Sequence, residues 1–359
     1  MKARIDVDQL RPAVTRAAEP AGRVPHLPAV SSLLVDAADS LIAIQGTDLD
    51  LTVTAHTPAA VDQPGQALIP ARPLTQFLGK VKGAVTITAS DGQVTLDNDD
   101  TTLTLRCPHV DDFPKADLHK PGTTVPGALA ACARLAPIAS TEQARPILTG
   151  VHLSPGRIGV TDSYRGAILD VDGLDATALI PAAAIRSVAK HVDAAAIAID
   201  DRGATFTAHD ASCEWRTRLI EGEYPDLDRL VRADSPHHLT VDRHELIEAV
   251  DRVRFIAESA AVAGKGGHAL VLLQVDGGKL TVTARTQDLG EAVATIACDS
   301  DFTPEIAFNS GFLTSVLAVH LEDQVRLELV DSLKPAMTRE GPLATILMPV
   351  RVKSLRSKK

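Results

Sequence analysis

The side chains that most resemble a metal site lie in "HHLTVDRHELIE", residues 237–248. They are imidazole and carboxylate groups: His237, His238, His244 and Glu248. His244 and Glu248 stand four residues apart, which would place them on one face of a helix. The ligand spacings of closed zinc sites are absent, however. The start of an ordinary helix after a linker explains this stretch better than a metal ion does.

Two further stretches contain residues of catalytic types. "AVAGKGGHAL", residues 261–270, has the glycines of a phosphate-binding loop, but its lysine is misplaced for that motif and no Ser or Thr follows it. Asp162, Ser163 and Tyr164 would offer a hydroxyl nucleophile, yet they lack a strand–elbow–helix context and a matching His. We interpret the first stretch as a flexible connection between a helix and a strand, and neither as a catalytic site.

Composition indicates a soluble globular protein. The 359 residues are 45% hydrophobic and 23% charged, and a chain of this length is expected to divide into domains. No apolar run reaches the ~18 residues of a membrane span, and "MKARIDVDQL" lacks the core of a signal peptide, so we expect a cytoplasmic protein without a membrane partner. The cysteines are widely spaced, which predicts buried free thiols: Cys107, Cys132, Cys213 and Cys298. We expect no cofactor.

A sequence repeat defines the elements that carry these residues. "ALIPARPLTQFLGKV" at 67–81 returns as "ALIPAAAIRSVAKHV" at 178–192, and the same offset separates "DFPKAD" from "EYPDLD". Between these landmarks apolar and polar residues alternate, which is typical of short antiparallel strands. A looser third copy begins at "EIAFNSGFLTSVLAV", residues 305–319. Each copy reads as helix, strands, helix, strands, which predicts three similar α+β domains at 1–119, 120–233 and 234–352, followed by a basic tail at 353–359.

The second helix of each copy has an apolar face. In the first copy this face has the 3.6-residue period and comprises Leu74, Phe77, Leu78 and Val81. In the second copy it comprises Ile185, Val188, Ala189 and Val192. The opposite faces carry Arg72, Gln76 and Lys80, and then Arg186, Lys190 and His191. Lysines on a single surface helix are ordinary, but their recurrence in two copies favours a local basic surface on a chain whose net charge is −10. The third copy has no basic residue on this helix before His320, so we expect the basic surface to be uneven.

These features resemble the bacterial sliding clamp family, the beta subunit of DNA polymerase III. The resemblance rests on eight short motifs in family order: "GTDLDL" (46–51), "IPARPL" (69–74), "DDFPKAD" (111–117), "RPILTGVHL" (145–153), "VTDSYRGAIL" (160–169), "RLIEGEYPDLDRLV" (218–231), "IAFNSGFL" (306–313) and "ILMPVRV" (346–352). They extend over nearly the entire chain. The resemblance implies a homodimeric ring of six domains with helices inside and sheet outside, encircling duplex DNA without reading its sequence. It also implies a processivity function and no catalysis.

The resemblance also implies which residues serve the ring. The DNA-facing residues would be Arg23, Arg72, Lys80, Arg134, Arg186 and Lys190. The subunit interface would join Leu103 and Leu105 to Phe255 and Ile256.

A groove for short peptides is implied as well, and it would comprise Leu148, Thr161, Tyr164, Arg165, Gly166, Ile346, Met348, Pro349, Val350 and Arg351. Its partners would be the DNA polymerase III alpha subunit, the clamp loader and other replication and repair proteins. Met348, Leu148 and Ile346 would surround Leu or Phe anchors, and Tyr164 and Arg165 would bind the polar end of the peptide.

The chain departs from the family at the groove. The family usually has Gly and His where this chain has Ser163 and Tyr164, and Leu or Phe where it has Gly166, so we expect a groove that is wider on that side and has altered selectivity. Two alternatives stay open. One is an enzyme on repeated α+β domains, which would require a convergent polar cleft. The other is a clamp-like docking scaffold that is not loaded onto DNA.

Overall fold

The computed structural model describes residues 1–22, 26–90, 92–114, 122–125, 127–232, 235–262, 269–286 and 289–351, with backbone alone at 259–262. Three predictions therefore lie wholly or mostly outside the described residues: the DNA-facing role of Arg23, the basic tail at 353–359, and the flexible connection in "AVAGKGGHAL". Within the described residues the fold is α+β, with antiparallel sheets and few helices.

Six helices occur in the described residues, two in each predicted repeat. They are α1 (Val7–Ala21), α2 (Ala71–Leu78), α3 (Ala128–Leu135), α4 (Ala182–His191), α5 (Arg243–Val262) and α6 (Ser310–Ala318). The side chain of the preceding residue caps three of them: Asp6 before α1, Asp242 before α5 and Asn309 before α6. Asp6 accepts a hydrogen bond from the Asp8 N–H at 2.8 Å, and Asn309 accepts one from the Phe312 N–H at 3.1 Å, which satisfies backbone donors at each helix start.

The first of two compact units comprises residues 1–133 and 183–220 and contains two antiparallel sheets. The five-stranded sheet has the order β5 (Ala60–Gln63), β1 (Lys2–Asp6), β7 (Ala84–Ser90), β8 (Gln93–Asn98), β9 (Thr101–Arg106). The eight-stranded sheet has the order β10 (Thr123–Val125), β15 (Ala195–Ile199), β16 (Gly203–Ala208), β17 (Cys213–Arg218), β4 (Leu51–Pro58), β3 (Leu41–Thr47), β2 (Ser32–Ala38), β6 (Gly65–Pro70).

The second unit comprises residues 134–182 and 221–359. Its nine-stranded sheet has the order β14 (Ala178–Pro181), β11 (Gly150–Ser154), β12 (Arg157–Thr161), β13 (Arg165–Asp170), β26 (Leu343–Leu347), β25 (Ala336–Glu340), β24 (Gln324–Leu329), β18 (His237–Asp242), β22 (Asp299–Ser300). Its four-stranded sheet has the order β21 (Gly290–Ala297), β20 (Lys279–Thr286), β19 (Leu270–Asp276), β23 (Ile306–Asn309).

Strands of neighbouring repeats pair with each other. In the first unit β17 runs antiparallel to β4, with Trp215 opposite Val53. In the second unit β13 runs antiparallel to β26, with Gly166 opposite Ile346. Because these strand pairs join different repeats, each compact unit contains parts of two repeats, and the middle repeat contributes to both units. The division into three domains follows the sequence repeat, and its boundaries stay a prediction.

The predicted apolar faces agree with the structure in α2 and differ in α4. All four residues of the first predicted face are buried, including Val81 just after the end of α2, while Arg72 and Lys80 are exposed. In α4 the prediction that Ala189 is buried is wrong, because the buried face of the helix carries Ala184 and Ser187 in its place. The predicted outward position of His191 is also wrong. Its side chain is 13% exposed and its ring stacks on that of Trp215, with 6.3 Å between the ring centres.

Candidate functional site

The end of β13 and the end of β26 bring most of the predicted groove together. Arg165 lies opposite Leu347 and Gly166 opposite Ile346, and on the other side Gly166 lies opposite Thr161. The Met348 N–H donates to the Tyr164 carbonyl oxygen at 2.8 Å, which continues the strand pairing beyond β26. Residues far apart in the chain therefore lie side by side at one end of the nine-stranded sheet.

The apolar groove residues divide into buried and exposed ones. Ile346 and Leu148 are 3% and 5% exposed, whereas Met348 is 38% and Tyr164 57% exposed. Leu148 belongs to the 3₁₀ turn Pro146–Thr149, directly before β11. Exposed apolar side chains beside a buried apolar floor are typical of a docking surface, and Met adapts readily to different partners. Pro349 and Val350 are half-buried, and Arg351 is exposed.

Gly166 lies against the backbone of its neighbouring strand. A Cβ at this position would lie 3.2 Å from the Val160 carbonyl oxygen and 3.5 Å from the Thr161 Cβ. The missing side chain therefore accommodates a close approach and opens no space toward β12. This geometry does not favour the expectation that the groove is wider at Gly166.

Ser163 has φ of 79°, in the left-handed region that favours glycine. Its N–H donates to Thr161 Oγ1 at 3.2 Å, and Arg145 Nη1 donates to its Oγ at 3.2 Å. Hydrogen bonds thus hold the serine in a backbone conformation that the family's glycine would adopt without strain.

Arg165 is engaged by protein groups. Its side chain is 11% exposed, and its Nε donates to Asp162 Oδ2 at 2.8 Å. Its guanidinium also lies 4.7 Å from the centre of the Phe312 ring. The expectation that this cation binds the polar end of a peptide is therefore not favoured by the geometry.

Sequence reasoning missed Tyr224 and Phe312, which contact residues of the predicted groove. The Tyr224 hydroxyl accepts the Thr161 N–H at 2.8 Å, and its ring stacks on His152 with 4.9 Å between ring centres. Burial raises the pKa of Tyr224 and lowers that of His152. The repeat contained a signal, since Phe113 and Tyr224 occupy equivalent places before Pro and only the second carries a hydroxyl.

Four of the six predicted DNA-facing residues lie on, or directly after, two helices of the first unit. Arg72 belongs to α2 and Lys80 follows it, while Arg186 and Lys190 belong to α4, and all are exposed. Helix α1 contacts both of these helices. Arg11 on α1 donates to the Leu78 and Val81 carbonyl oxygens near the end of α2.

The other end of α1 meets α4 through an acidic side chain. Glu19 Oε2 lies 2.9 Å from His191 Nε2 and 3.8 Å from Lys190 Nζ. This basic surface therefore contains a carboxylate, which reduces the positive charge near Lys190.

Arg134 lies in the second unit and is paired there. Its Nη2 donates to Glu340 Oε1 at 2.6 Å, its Nε donates to the Val319 carbonyl oxygen, and its side chain is 20% exposed. Glu340 Oε2 lies 3.3 Å from Nδ1 of His320, a residue that is 3% exposed. This geometry indicates a structural role for Arg134, and its predicted DNA contact has no support from it.

The cluster around Glu340 shifts two pKa values. Burial lowers the pKa of His320, and this effect exceeds the opposite effect of the Glu340 charge. Burial would by itself raise the pKa of Glu340, but hydrogen bonds from the Glu322 and Leu321 N–H groups and from Arg134 outweigh it, so the pKa is lowered. The folded state therefore favours a neutral imidazole beside an ionised carboxylate.

The predicted interface residues lie on an edge strand and on a helix. Leu103 and Leu105 are half-buried on β9, the last strand of the five-stranded sheet. Phe255 is 56% exposed on α5, and Ile256 beside it is half-buried. Sequence reasoning missed β21, the edge strand against which α5 packs, where Val293 is 56% exposed.

In the described part of the chain, no group of three or more His, Cys, Asp or Glu side chains is arranged to hold a metal ion. In the same residues no helix is long and apolar enough to cross a membrane.

Comparison with known proteins connects this geometry to one family. The family described as "DNA polymerase III beta subunit, N-terminal domain" matches residues 1–117, and "DNA polymerase III beta subunit, C-terminal domain" matches residues 228–350. The "Beta sliding clamp" of Streptomyces coelicolor is 25% identical over 382 residues, covering 98% of this chain and 100% of the relative. The "Beta sliding clamp homolog GriR" of Streptomyces muensis is 27% identical over 311 residues, covering 80% of each.

Solved structures share the fold. The DnaN sliding clamp of Bartonella birtlesii, bound to griselimycin, superposes with a TM-score of 0.86 at 24% identity, and the sliding clamp of Bacillus subtilis with 0.85 at 22%. Each comparison covers 98% of this chain and 100% of the other. Since the two family matches together span most of the sequence and both come from one subunit, the chain belongs to the DNA polymerase III beta subunit family, the bacterial sliding clamps.

Proposed function

We propose that two copies of this DNA sliding clamp close into a ring around duplex DNA and that the groove at β13 and β26 tethers replication and repair proteins to it. The observation that carries ring closure is the pair of edge strands β9 and β21. The clamp is a non-catalytic processivity factor. Its partners would be the DNA polymerase III alpha subunit, the clamp loader and other groove-binding proteins. It would act in the cytoplasm.

Edge strands explain how the ring would close. One side of β9 and one side of β21 present backbone N–H and C=O groups with no strand beside them among the described residues, and such edges readily pair with another chain. Pairing β9 of one copy with β21 of the other would extend the sheet across the interface. It would also bring Leu103 and Leu105 toward Phe255 and Ile256, because α5 packs against β21. The two interfaces of such a dimer are related by a twofold axis, so the two copies form a closed ring.

Basic side chains on α2 and α4 would face the enclosed DNA. Arg72, Arg186 and Lys190 are exposed on these helices and Lys80 is exposed just after α2, and both helices adjoin α1. Contacts from such side chains to phosphates carry no sequence information and weaken as salt rises. They therefore suit a ring that slides along the duplex while it stays linked to it.

Mass in solution tests ring closure. Light scattering behind a sizing column should give twice the 37.9 kDa chain mass at micromolar and at nanomolar protein. Phe255→Asp should shift the protein toward the monomer because it places a charge in the proposed apolar interface. Leu321→Asp is the matched control, since Leu321 is 70% exposed and lies outside that interface. A monomeric wild type, or a dimer unaffected by Phe255→Asp, would refute the interface.

Retention on DNA tests the second part of the proposal. A closed ring loaded onto nicked circular DNA should stay bound in high salt and should leave when the circle is linearised. Arg72→Glu and Lys80→Glu should shorten its residence at low salt, where phosphate contacts are strongest. Equal loss from circular and linear DNA would contradict encirclement.

A docking scaffold without DNA loading is the second candidate. The observation that favours it is the limited positive charge of the proposed lining, because Arg134 is paired with Glu340 and Lys190 lies near Glu19. Such a scaffold would bind groove peptides normally and would show no retention on circular DNA in the same assay.

A further inference from the structure

The turn between β12 and β13 is closed around a buried carboxylate. Asp162 is 8% exposed, and its Oδ1 accepts the N–H groups of Tyr164 and Arg165, both at 2.9 Å. Its Oδ2 accepts from Arg165 Nε at 2.8 Å. One side chain therefore fixes both the backbone of the turn and the direction of the arginine.

The remaining guanidinium nitrogens of Arg165 also have protein partners. Nη1 donates to Ser315 Oγ on α6, and Nη2 donates to the Pro137 carbonyl oxygen at 3.2 Å. The planar group lies over the Phe312 ring, a favourable position for a cation. With every nitrogen engaged and little surface exposed, this arginine has little left to offer a ligand.

Tyr164 is the neighbour that remains accessible. Its ring stacks on that of Phe312, with 5.8 Å between ring centres and 22° between planes. Its carbonyl oxygen accepts the Met348 N–H at 2.8 Å. Phe312 thus contacts both Arg165 and Tyr164, so the arginine can act on the tyrosine through a shared aromatic ring.

We infer that Arg165 is a positioning residue, which holds Tyr164 against Phe312, and that Tyr164 is the group that contacts the partner and favours a planar, aromatic side chain at this end of the groove. This inference rests on the proposed peptide-binding function of the groove. It differs from direct recognition, in which the Arg165 cation would bind a carboxylate of the peptide.

A double-mutant cycle within the protein separates these roles. The probe is a fluorescently labelled synthetic peptide with Leu and Phe anchors and a single aspartate, and fluorescence anisotropy gives its Kd. We expect Arg165→Met to weaken binding by about tenfold in the wild-type background and by less than about twofold in the Tyr164→Ala background. A tenfold loss in both backgrounds would overturn the inference, because a merely structural defect does not depend on Tyr164.

Two changes to the peptide complete the test. Replacing its aspartate by asparagine should leave the effect of Arg165→Met unchanged; an effect confined to the acidic peptide would show direct charge recognition. Replacing its Phe by Leu should weaken binding to the wild type by more than it weakens binding to Tyr164→Ala. Equal ratios would overturn the role of Tyr164.

Controls keep the outcome interpretable. Arg157→Met removes another ion-paired arginine from the opposite end of the same strand pair, where Arg157 meets Asp170, and should leave binding unchanged. If Arg165→Met alone fails to fold, the double variant with Asp162→Asn and Arg165→Met takes its place, because it removes both buried charges together. A wild type that binds no peptide overturns the proposed groove function, whereas a binding wild type with a failed cycle overturns the inference alone.

Discussion

Replacing Glu340 by Gln tests how strongly the buried cluster around His320 stabilises the second unit. The Glu340 side chain is 10% exposed. Its Oε1 accepts from Arg134 at 2.6 Å, and its Oε2 accepts the Leu321 and Glu322 N–H groups at 2.7 and 3.0 Å. The amide of Gln keeps one oxygen for these donors but removes the charge that balances Arg134.

The size of the stability loss depends on which groups Glu340→Gln leaves without a partner. Breaking a buried ion pair from one side costs about 3–5 kcal/mol. Arg134 is partly exposed and still donates to the Val319 carbonyl oxygen, and the amide oxygen of Gln retains part of the hydrogen bonding. We therefore expect the local free energy of unfolding to fall by roughly 2–3 kcal/mol.

Native-state hydrogen exchange measures this loss where it occurs. Amides of β25 and β26 should exchange roughly 30- to 150-fold faster in Glu340→Gln, since 1.4 kcal/mol corresponds to about tenfold. Glu328→Gln is the matched control: it removes a carboxylate 3.3 Å from Arg339, whose side chain is 38% exposed, and should change exchange by less than about fivefold. Unchanged protection in Glu340→Gln would refute the stabilising role of the cluster.

The same cluster predicts acid sensitivity. Because the pKa of His320 is lowered, the unfolded state takes up a proton first, and stability is lost as pH falls through the ordinary value near 6.5. Because the pKa of Glu340 is lowered too, its contribution is present above its ordinary value of 4.5 and is lost as pH falls through the lower folded value. Glu340→Gln should remove the second loss, and an unchanged acid limb below pH 4.5 would contradict this assignment.

Three further predictions concern single positions. Tyr224→Phe leaves the Thr161 N–H without its acceptor, so the free energy of unfolding should fall by about 1–2 kcal/mol and the peptide affinity should fall severalfold. Equal Kd values for Tyr224→Phe and the wild type would refute a positioning role. Burial raises the pKa of Cys132 to about 12, so iodoacetamide at neutral pH should label half-exposed Cys107 before buried Cys132; peptide mass spectrometry showing the reverse order would contradict this. Gly46→Ala drives a Cβ into the backbone of α1 and should lower the melting temperature by several degrees; an unchanged value would contradict the packing.

Local elements could be predicted from the sequence because they depend on neighbouring residues. The alternation in residues 84–106 gives the three strands β7, β8 and β9, and the 3.6-residue period gives the buried face of α2. Each pattern arises within a single strand or helix that has one face against a hydrophobic core. The predictions for Ala189 and His191 are wrong, because α4 is Ala-rich and the helical period alone does not determine which of its residues are buried.

Partners distant in the chain could not be predicted from the same patterns. Arg134 and Glu340 are 206 positions apart, and no local pattern distinguishes a basic residue that faces solvent from one with a buried carboxylate beside it. Arg165 and Phe312 present the same difficulty. Their identities indicated a groove only through the family resemblance, while the geometry shows that the arginine is engaged by the protein itself.

Pairing of β13 with β26 also has a consequence for synthesis. The ribosome makes β13 midway through translation, but its neighbour β26 emerges only after most of the second unit has left the exit tunnel. A nascent clamp therefore carries an unpaired strand edge and an incomplete groove until the last strand arrives. The proposed peptide groove is complete only once β26 has been made, and a truncated product that lacks β26 would expose β13 to chaperones and proteases.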